Sequence, residues 1–267
     1  MLLAVDIGNT NIVVALFHKG EIVQEWRIHS DPDRTSDEYA SILRSLFRDT
    51  GVTVGSIDTS ILSSVVPLLY GPFISLLEII TGKKPFIVGP AIYNKLPIRI
   101  PESAIHEIGT DLVCNAVEAW SHLKKPVIVT DFGTALTFTV VDELGQVQGV
   151  AIAPGIKTAI NSLFNNTAQL PSVPLEAPEN SLGTNTTQSI QAGIILGYKG
   201  LVESLVNQIK NDLSEKTGCK KSDIKVLATG GLNSVLKPLT ACIDEVDKSL
   251  TLKGLYRIAC ILYNRKL

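Results

Sequence analysis

The sequence predicts an α/β protein built from two copies of one structural unit. Segments typical of strands and of helices alternate along the chain. In addition, one pattern occurs twice: an apolar run, an acid, a glycine turn and a second β-type run. Three landmarks of this pattern recur at one offset, since 131 − 6, 133 − 8 and 145 − 20 all equal 125. Two copies of this size indicate a duplicated domain and not a repeat array.

The chain length agrees with two domains. The chain has 267 residues, which fits either one large domain or two of roughly 130 residues, each able to bury a core. The repeat favours two domains, and the segment Lys124–Pro126 is the expected boundary. We therefore expect an N-terminal domain over 1–125 and a C-terminal domain over 126–267.

In the first copy, runs rich in β-branched residues predict strands, and apolar residues three and four positions apart predict helices. The predicted strands cover 2–5, 12–17, 21–23 and 57–66. The predicted helices cover 36–47 and 68–80, and Gly82 ends the second one. A strand follows Gly8, which excludes a Rossmann dinucleotide site, because that site needs its glycines to open a helix.

The second copy shows the same alternation. Predicted strands cover 127–129, 136–141 and 225–229, and predicted helices cover 156–164, 189–213 and 251–263. The stretch 168–185 is rich in proline and polar residues and is expected to be a long loop. Gly193, Gly197 and Gly200 let another helix approach closely, either within the chain or across a subunit interface.

Charge and hydropathy exclude several classes of protein. The chain has 24 Lys and Arg against 26 Asp and Glu, a net charge of −2, and no basic block, so a nucleic-acid partner is not expected. No apolar run is long enough to cross a membrane and no export signal is present, so we expect a cytoplasmic protein without a membrane partner. Four scattered cysteines, without metal-ligand spacing, are expected to be buried free thiols.

Two acidic residues stand at the ends of apolar strands, just before glycine turns. An ionised Asp6 or Asp131 is costly there unless a cation, hydrogen-bond donors or a ligand compensates it. The residues that follow, Gly8–Asn11 in one copy and Gly133 with Thr134 in the other, could hold phosphate groups through backbone and side-chain donors. A hairpin entry in which each Asp only caps local N–H groups is the alternative. Repetition of the acid favours the functional interpretation.

Three further features have two interpretations each. Asp111 stands just before a helical run and is either a first-turn acid stabilised by the helix dipole or a general base, with Gly109 leaving room for a substrate. Thr229–Gly231 follows a strand and could support a nucleotide, with a helix opening from Leu232, although such turns occur in many α/β folds. Lys157 either faces a phosphate or is solvated.

Six motifs, in order, resemble those of type III pantothenate kinases, and the similarity extends over the whole chain. The motifs are Asp6–Asn11 with Phe17, Gly109–Asp111, Asp131–Ala135, Ala153–Gly155, Gly183 with Asn185 and Thr186, and Thr229–Gly231. The resemblance implies an actin-like fold of duplicated ribonuclease-H-like domains with ATP in the cleft between them. It also implies phosphorylation of pantothenate to 4′-phosphopantothenate, the first step of coenzyme A synthesis, by a homodimer with active sites near the subunit interface.

The resemblance also implies roles for individual residues. The implied ATP contacts are Asp6, Ile7, Gly8, Asn9, Thr10, Asn11, Ile12, Val13 and Thr134. The implied pantothenate contacts are Tyr93, Gly109, Thr110, Asp111, Leu112 and Thr186. Asp111 is the implied proton acceptor, Thr186 is expected to serve the partner subunit's site, and Asp131 is expected to bind a monovalent cation such as K⁺ or NH₄⁺. Mg²⁺ is expected to accompany ATP.

The sequence departs from the family pattern at two positions. Leu112 stands where the family usually has arginine, and Thr184 stands where a basic residue usually precedes Asn185. Leucine cannot bind a carboxylate or phosphate as a guanidinium does. Two alternatives therefore stay open: an actin-fold kinase of another small hydroxy acid, and a nucleotide-dependent regulatory protein with little kinase activity.

Overall fold

The computed structural model describes residues 1–166, 171, 173–231 and 237–264. Two compact units are present. Unit 1 comprises Met1–Ser121 together with the described residues from Ser249 onward, and unit 2 comprises His122–Lys248. The chain enters unit 2 close to the expected boundary at 125/126. The C-terminal segment, which we expected in the second domain, instead packs within unit 1.

The strands are β1 (Leu2–Ile7), β2 (Asn11–His18), β3 (Glu21–His29), β4 (Thr59–Ser64), β5 (Phe86–Ile87), β6 (Val127–Phe132), β7 (Ala135–Val141), β8 (Val147–Pro154), β9 (Lys225–Thr229) and β10 (Glu245–Val246). The helices in the described residues are α1 (Ser36–Asp49), α2 (Pro67–Thr81), α3 (Pro90–Tyr93), α4 (Thr110–Leu123), α5 (Ile156–Asn165), α6 (Thr186–Gln191), α7 (Gly197–Thr217) and α8 (Leu250–Leu262). Short 3₁₀ turns cover 54–56, 102–104, 221–223 and 237–239.

The two units have the same sheet. In the described residues, unit 1 has the strand order β3-β2-β1-β4-β5 and unit 2 has the order β8-β7-β6-β9-β10. The first strand of each copy runs antiparallel to the second and parallel to the fourth. This topology confirms the duplication that the 125-residue offset predicts.

The pleat of β1 separates its side chains onto two faces. Leu3, Val5 and Ile7 lie in the core with residues of α1 and α2. Asp6 therefore points to the opposite face, because side chains alternate along a strand. Helix α8 packs against β1 and β4, which places the C-terminal helix in unit 1.

Unit 2 repeats this arrangement. Ile128 and Phe132 of β6 lie in a core with Ile156 of α5 and Val202 of α7. Asp131 points away from that core, because side chains alternate between the two faces of β6. The acid of each copy thus occupies the same place on the equivalent strand.

Several predicted elements differ in extent. β3 continues to His29, beyond the predicted end at 23, and β4 is shorter than the predicted strand 57–66. The predicted helix 189–213 is observed as α6, a π-helical segment over Ala192–Leu196, and α7. Such π segments are often found at functional sites.

Part of the predicted loop lies outside the described residues, namely 168–170 and 172. Its described residues, 171 and 173–185, contain no helix or strand. The helix predicted to open at Leu232 also lies outside the described residues. Among the helices that the structure describes, none has the length and apolar character needed to cross a membrane.

Candidate active site

The first glycine turn joins β1 to β2. The Gly8 N–H donates to the Asn11 carbonyl oxygen at 3.0 Å, and the Ser30 N–H donates to the Thr10 carbonyl oxygen at 3.0 Å. Asn9 and Thr10 are exposed at the tip. The tip can therefore face a ligand while its ends stay anchored in the sheet.

The remaining residues of this segment are positioned differently. Ile7 and Ile12 are buried in the core, so only their backbone groups could reach a ligand. Val13 is half-buried on β2. The turn can thus recognise a ligand mainly through backbone groups and the side chains of Asn9, Thr10 and Asn11.

Asp6 belongs to a group of hydrogen-bonded residues that we call the Asp6 cluster: Asp6, Ser63, Ser64, Tyr70 and Thr110. The Ser63 hydroxyl donates to Asp6 Oδ1 at 2.9 Å and lies 3.0 Å from Thr110 Oγ1. The Thr110 and Tyr70 hydroxyls reach the Ser64 carbonyl oxygen at 3.0 and 2.9 Å. This cluster joins the first glycine turn to the start of α4.

Cys114 lies next to the Asp6 cluster. Burial raises the pKa of its thiol well above the usual value, and the negative charges of Asp6 and Asp111 raise that pKa further, whereas a hydrogen bond with Ser63 lowers it. The thiol is therefore neutral and not a nucleophile. Cys219 and Cys260 are also buried and free, as predicted, and Cys242 is half-buried.

Asp111 lies in the first turn of α4. Its Oδ1 accepts a hydrogen bond from the Leu112 N–H at 2.8 Å, as expected of an acid at a helix start. Burial nevertheless raises the pKa of its carboxyl group, against the opposing effect of the backbone N–H groups. Gly109 leaves room for this carboxylate, because a Cβ atom there would lie 2.5 Å from Asp111 Oδ1. Both interpretations of Asp111 therefore have structural support.

Tyr93 and Leu112 border Asp111. Tyr93 is buried, and burial, together with Cys114, Tyr70 and Asp111, raises its pKa to about 12. Its hydroxyl group therefore keeps its proton and can donate a hydrogen bond. Leu112 is also buried, so this position contributes apolar surface where the family pattern has a cation.

The second glycine turn joins β6 to β7 in unit 2. The Gly133 N–H donates to the Ala135 carbonyl oxygen at 3.1 Å. Thr134 is exposed, and its carbonyl oxygen accepts from the Gly155 N–H at 3.0 Å and the Thr158 hydroxyl at 2.7 Å. The start of α5 is thereby fixed against the turn, and a helix N-terminus favours a nearby anion.

Gly230 lies against the Asp131 carboxylate. Its φ is +86°, and a Cβ atom there would lie 2.6 Å from Asp131 Oδ1 and 2.7 Å from the Phe132 backbone nitrogen, so glycine is required. Asp131 is opposite the buried Thr229 in the parallel ladder. Carboxylate, hydroxyl and peptide oxygens are the donors that hard cations prefer, so this donor set is chemically suited to K⁺.

Thr186 is the first residue of α6 in unit 2. Asn185 caps this helix, its Oδ1 accepting from the Gln188 N–H at 3.0 Å. Thr186 is exposed in a groove of about 510 Å³ that Leu163 and Gly193 also line. Lys157, in the first turn of α5, is also exposed.

The structure brings some of the predicted residues together within unit 1, and the others belong to unit 2. In unit 1, Asp6 meets Thr110 through Ser63, and Tyr93 and Asp111 lie close to the same cluster. The other predicted residues, Thr134, Asp131 and Thr186, belong to unit 2. The sequence interpretation missed Ser63 and Tyr70. The feature that identifies Ser63 is its position opposite Asp6 in the parallel ladder, and the sequence alone does not show how these strands pair.

The duplicated sheet, with an acid and a glycine turn in each copy, defines the actin-like ATPase and sugar-kinase fold class. Two solved structures share this fold. A protein from Campylobacter jejuni ascribed to the Baf family of transcriptional activators has a TM-score of 0.59, 17% identity, and coverage of 98% of this chain and 99% of that chain. A protein from Sinorhizobium meliloti assigned as a 2-dehydro-3-deoxygalactonokinase has a TM-score of 0.54, 11% identity, and coverage of 100% and 98%.

Sequence comparison then specifies the family. The family model for type III pantothenate kinase matches residues 2–208. Relatives named type III pantothenate kinase include those of Syntrophotalea carbinolica, 41% identical with 96% of each chain covered, and Geotalea uraniireducens, 39% identical with 99% of this chain and 98% of the relative covered. That of Moorella thermoacetica is 40% identical, with 96% and 97% covered. This chain belongs to the type III pantothenate kinase family.

Proposed function

We propose that this protein transfers the γ-phosphoryl group of ATP to pantothenate, forming 4′-phosphopantothenate and ADP. The observation that carries the proposal is the similarity to type III pantothenate kinases over nearly the full chain. The arrangement in unit 1 supports it, because a glycine turn suited to phosphates is linked by hydrogen bonds to a helix start that carries a partly buried carboxyl group.

ATP binds at the glycine turns in this proposal. Asp6–Val13 contacts its phosphates, chiefly through backbone N–H groups and the exposed Asn9 and Thr10 side chains. Thr134, in the β6–β7 turn, is a further ATP contact, and its carbonyl oxygen accepts from the Gly155 N–H next to the start of α5. Mg²⁺, bound with ATP, would neutralise charge on the phosphates; such neutralisation and positioning are the main requirements of phosphoryl transfer.

Asp111 is the proposed proton acceptor. The pantothenate hydroxyl oxygen attacks the γ-phosphorus, the bond from that phosphorus to the β,γ-bridging oxygen breaks, and the hydroxyl proton passes to the Asp111 carboxylate. A pKa raised by burial makes this carboxylate a better base than an ordinary aspartate. Loss of the hydroxyl proton late in a loose transition state requires only a modest base.

Pantothenate contacts are proposed at Tyr93, at Gly109–Leu112 and, from a partner subunit, at Thr186. The Tyr93 hydroxyl group is protonated and can donate to an oxygen of the substrate. The Thr110 hydroxyl is engaged within the Asp6 cluster, so Thr110 acts mainly by fixing the start of α4. Leu112 adds apolar contact and no charge, so recognition of the substrate carboxylate falls to other groups.

A homodimer is proposed because one face of unit 2 has no partner within the described chain. Apart from the chain neighbours and the backbone of their own helix, no described heavy atom lies within 4 Å of the Cβ positions of Gly193, Gly197 and Gly200, so the described residues offer no internal helix contact there. Phe164 and Leu182 are exposed at 47% and 84%, and the groove beside Thr186 includes Gly193. A second copy covering this face would bury these apolar groups.

A coupled assay of ADP release tests the reaction. With ATP and pantothenate we expect turnover that depends on pantothenate and exceeds that with a panel of other small hydroxy acids. A better acceptor in the panel would identify a kinase of another hydroxy acid. Turnover that is absent, or independent of any acceptor, would instead support a nucleotide-dependent regulatory protein.

A monovalent cation at Asp131 is the second proposal that can be tested directly. We expect turnover in K⁺ or NH₄⁺ to exceed that in Na⁺ by about tenfold, because a bound cation neutralises charge near the nucleotide phosphates. Asp131→Asn should remove most of this difference. Asp212→Asn, an exposed acid on α7, is the matched control and should keep it. Equal rates in all three ions would contradict the proposal.

A further inference from the structure

The hydroxyl group of Ser63 contacts the acid of the first glycine turn on one side and the start of α4 on the other. Its Oγ lies 2.9 Å from Asp6 Oδ1 and 3.0 Å from Thr110 Oγ1. Ser63 is 0% exposed, so bulk water cannot replace either contact. None of the roles proposed above uses this hydroxyl group.

A count of protons gives the hydrogen bonds a direction. Each hydroxyl group carries one proton. The Ser63 proton goes to Asp6, because an ionised carboxylate is a stronger acceptor than a neutral hydroxyl group. The contact between Ser63 and Thr110 then needs the Thr110 proton, and Thr110 Oγ1 also donates to the Ser64 carbonyl oxygen at 3.0 Å. With Asp6 ionised, Ser63 therefore donates to Asp6, and the Thr110 proton is shared between Ser63 Oγ and the Ser64 carbonyl oxygen.

The same atoms allow a second arrangement. When a ligand satisfies the Asp6 carboxylate, the Ser63 proton can turn to Thr110 Oγ1. The Thr110 proton then goes to the Ser64 carbonyl oxygen, which also accepts from the Tyr70 hydroxyl at 2.9 Å. The direction of the hydrogen bonds thus depends on what Asp6 binds, and the change reaches Thr110, the residue before Asp111.

Unit 2 has a hydroxyl group at the equivalent position. Asp6 is opposite Ser63 in the parallel ladder of unit 1, and Asp131 is opposite Thr229 in that of unit 2. Both hydroxyl residues are buried, at 0% and 2% exposure. The pair of an acid and a buried hydroxyl group therefore occurs at the same register in both copies.

We propose that Ser63 is a positioning residue that couples the two substrates: occupation of the first glycine turn by ATP changes the affinity of the α4 start for the hydroxyl acceptor. This inference rests on the proposed function. Coupling of this kind commonly changes an affinity by 5- to 150-fold. The buried contacts of Ser63 provide a direct physical route between the two ligands.

Isothermal titration calorimetry tests this coupling. The Kd of pantothenate is measured with and without a non-hydrolysable ATP analogue, and the ratio of the two values is compared among variants. We expect a ratio of about tenfold in the wild type and close to one in Ser63→Ala. Ser63→Thr, which introduces the residue of the equivalent position 229, keeps the hydroxyl group and should retain the ratio.

Ser60→Ala is the matched control. Ser60 lies on the same strand, is 1% exposed, and its Oγ has no hydrogen-bond partner among the described residues, so the ratio should be unchanged. The inference would be overturned if the ratio of the wild type were near one. It would also be overturned if Ser63→Ala had the same ratio as the wild type. A lower melting temperature of Ser63→Ala with an unchanged ratio would overturn it as well, because Ser63 would then be only structural.

The assay of acceptors separates this inference from the proposed function. If the wild type phosphorylates another hydroxy acid in preference to pantothenate, the proposed substrate is wrong, and the ratio is measured with that acid instead. If the wild type phosphorylates pantothenate and Ser63→Ala keeps the ratio, the proposed function stands and the inference about Ser63 fails.

Discussion

Replacement of Asp111 by asparagine is expected to lower kcat by about 10²- to 10⁴-fold, the usual contribution of a general base. Asparagine keeps the size of the side chain and can still accept the hydrogen bond of the Leu112 N–H, but it cannot take the proton of the acceptor hydroxyl group. Binding of ATP at the first glycine turn should change little. Steady-state kinetics with ATP and pantothenate measures the effect.

The same substitution is expected to leave the protein at least as stable as the wild type. Burial raises the pKa of Asp111 in the folded state, so the folded state binds more protons than the unfolded state between the two pKa values. Stability therefore falls as pH rises through that window, and the ionised carboxylate costs stability at neutral pH. Each kcal/mol that asparagine restores raises Tm by about 2–4 °C.

The pH dependence follows from the same group. The acidic limb of kcat/KM should lie at a higher pH than the ordinary pKa of an aspartate, because the base must be deprotonated and burial raises its pKa.

Asp37→Asn is the matched control for Asp111→Asn, since Asp37 is an exposed acid in the first turn of α1. It should keep full activity and lose about 0.3–1 kcal/mol of stability. Near wild-type turnover of Asp111→Asn would show that this acid is not the proton acceptor.

Much of the fold could be predicted from the sequence because its signals are local. Apolar periodicity predicts most strands and helices to within a few residues, and the repeated acid and glycine turn indicate the duplication without knowledge of any contact. The C-terminal helix packs in unit 1 and not in the expected second domain, and there is a physical reason why the sequence does not predict this. Periodicity shows that α8 has an apolar face, but not which sheet that face covers.

For the candidate site too, the sequence does not show which residues lie next to one another. Asp6 and Asp131 were identifiable because a carboxylate at the end of an apolar strand needs compensation. Ser63 and Thr229 were not identifiable as partners, because a buried hydroxyl group has no meaning until the register of the parallel ladder places it opposite an acid. Gly254 gave no signal either, since its role depends on which helix lies beside it.

Replacement of Gly254 by alanine is expected to destabilise the protein by roughly 2–4 kcal/mol, at the upper end of overpacking effects. Gly254 of α8 packs directly on the backbone of Cys114 in α4, where a Cβ atom would lie 2.6 Å from the Cys114 carbonyl carbon and 3.0 Å from its Cα. Backbone cannot move aside as a side chain can, so the two helices must separate. Thermal and urea unfolding measure the loss.

Two contacts on either side oppose that separation. The Thr251 hydroxyl donates to Asn115 Oδ1 at 2.8 Å, and Arg257 donates to both carboxylate oxygens of Glu118, at 2.6 and 3.0 Å. Moving α8 outward would strain these hydrogen bonds, and buried groups that lose their partners are costly. Because α4 carries Asp111 at its start, Gly254→Ala should also lower kcat more than it raises the KM for ATP.

Gly71→Ala separates this clash from the general effect of replacing a helical glycine. Apart from its chain neighbours and the backbone of its own helix, no heavy atom of the described residues lies within 4 Å of the Cβ position of Gly71 in α2. The stability of the Gly71→Ala variant should stay within about 1 kcal/mol of the wild type. The helix preference of alanine favours the variant, whereas the following Pro72 restricts the backbone conformation of residue 71. If Gly254→Ala were as stable as Gly71→Ala, α8 would not pack on α4. The close contact between the C-terminal helix and the Cys114 backbone would then be contradicted.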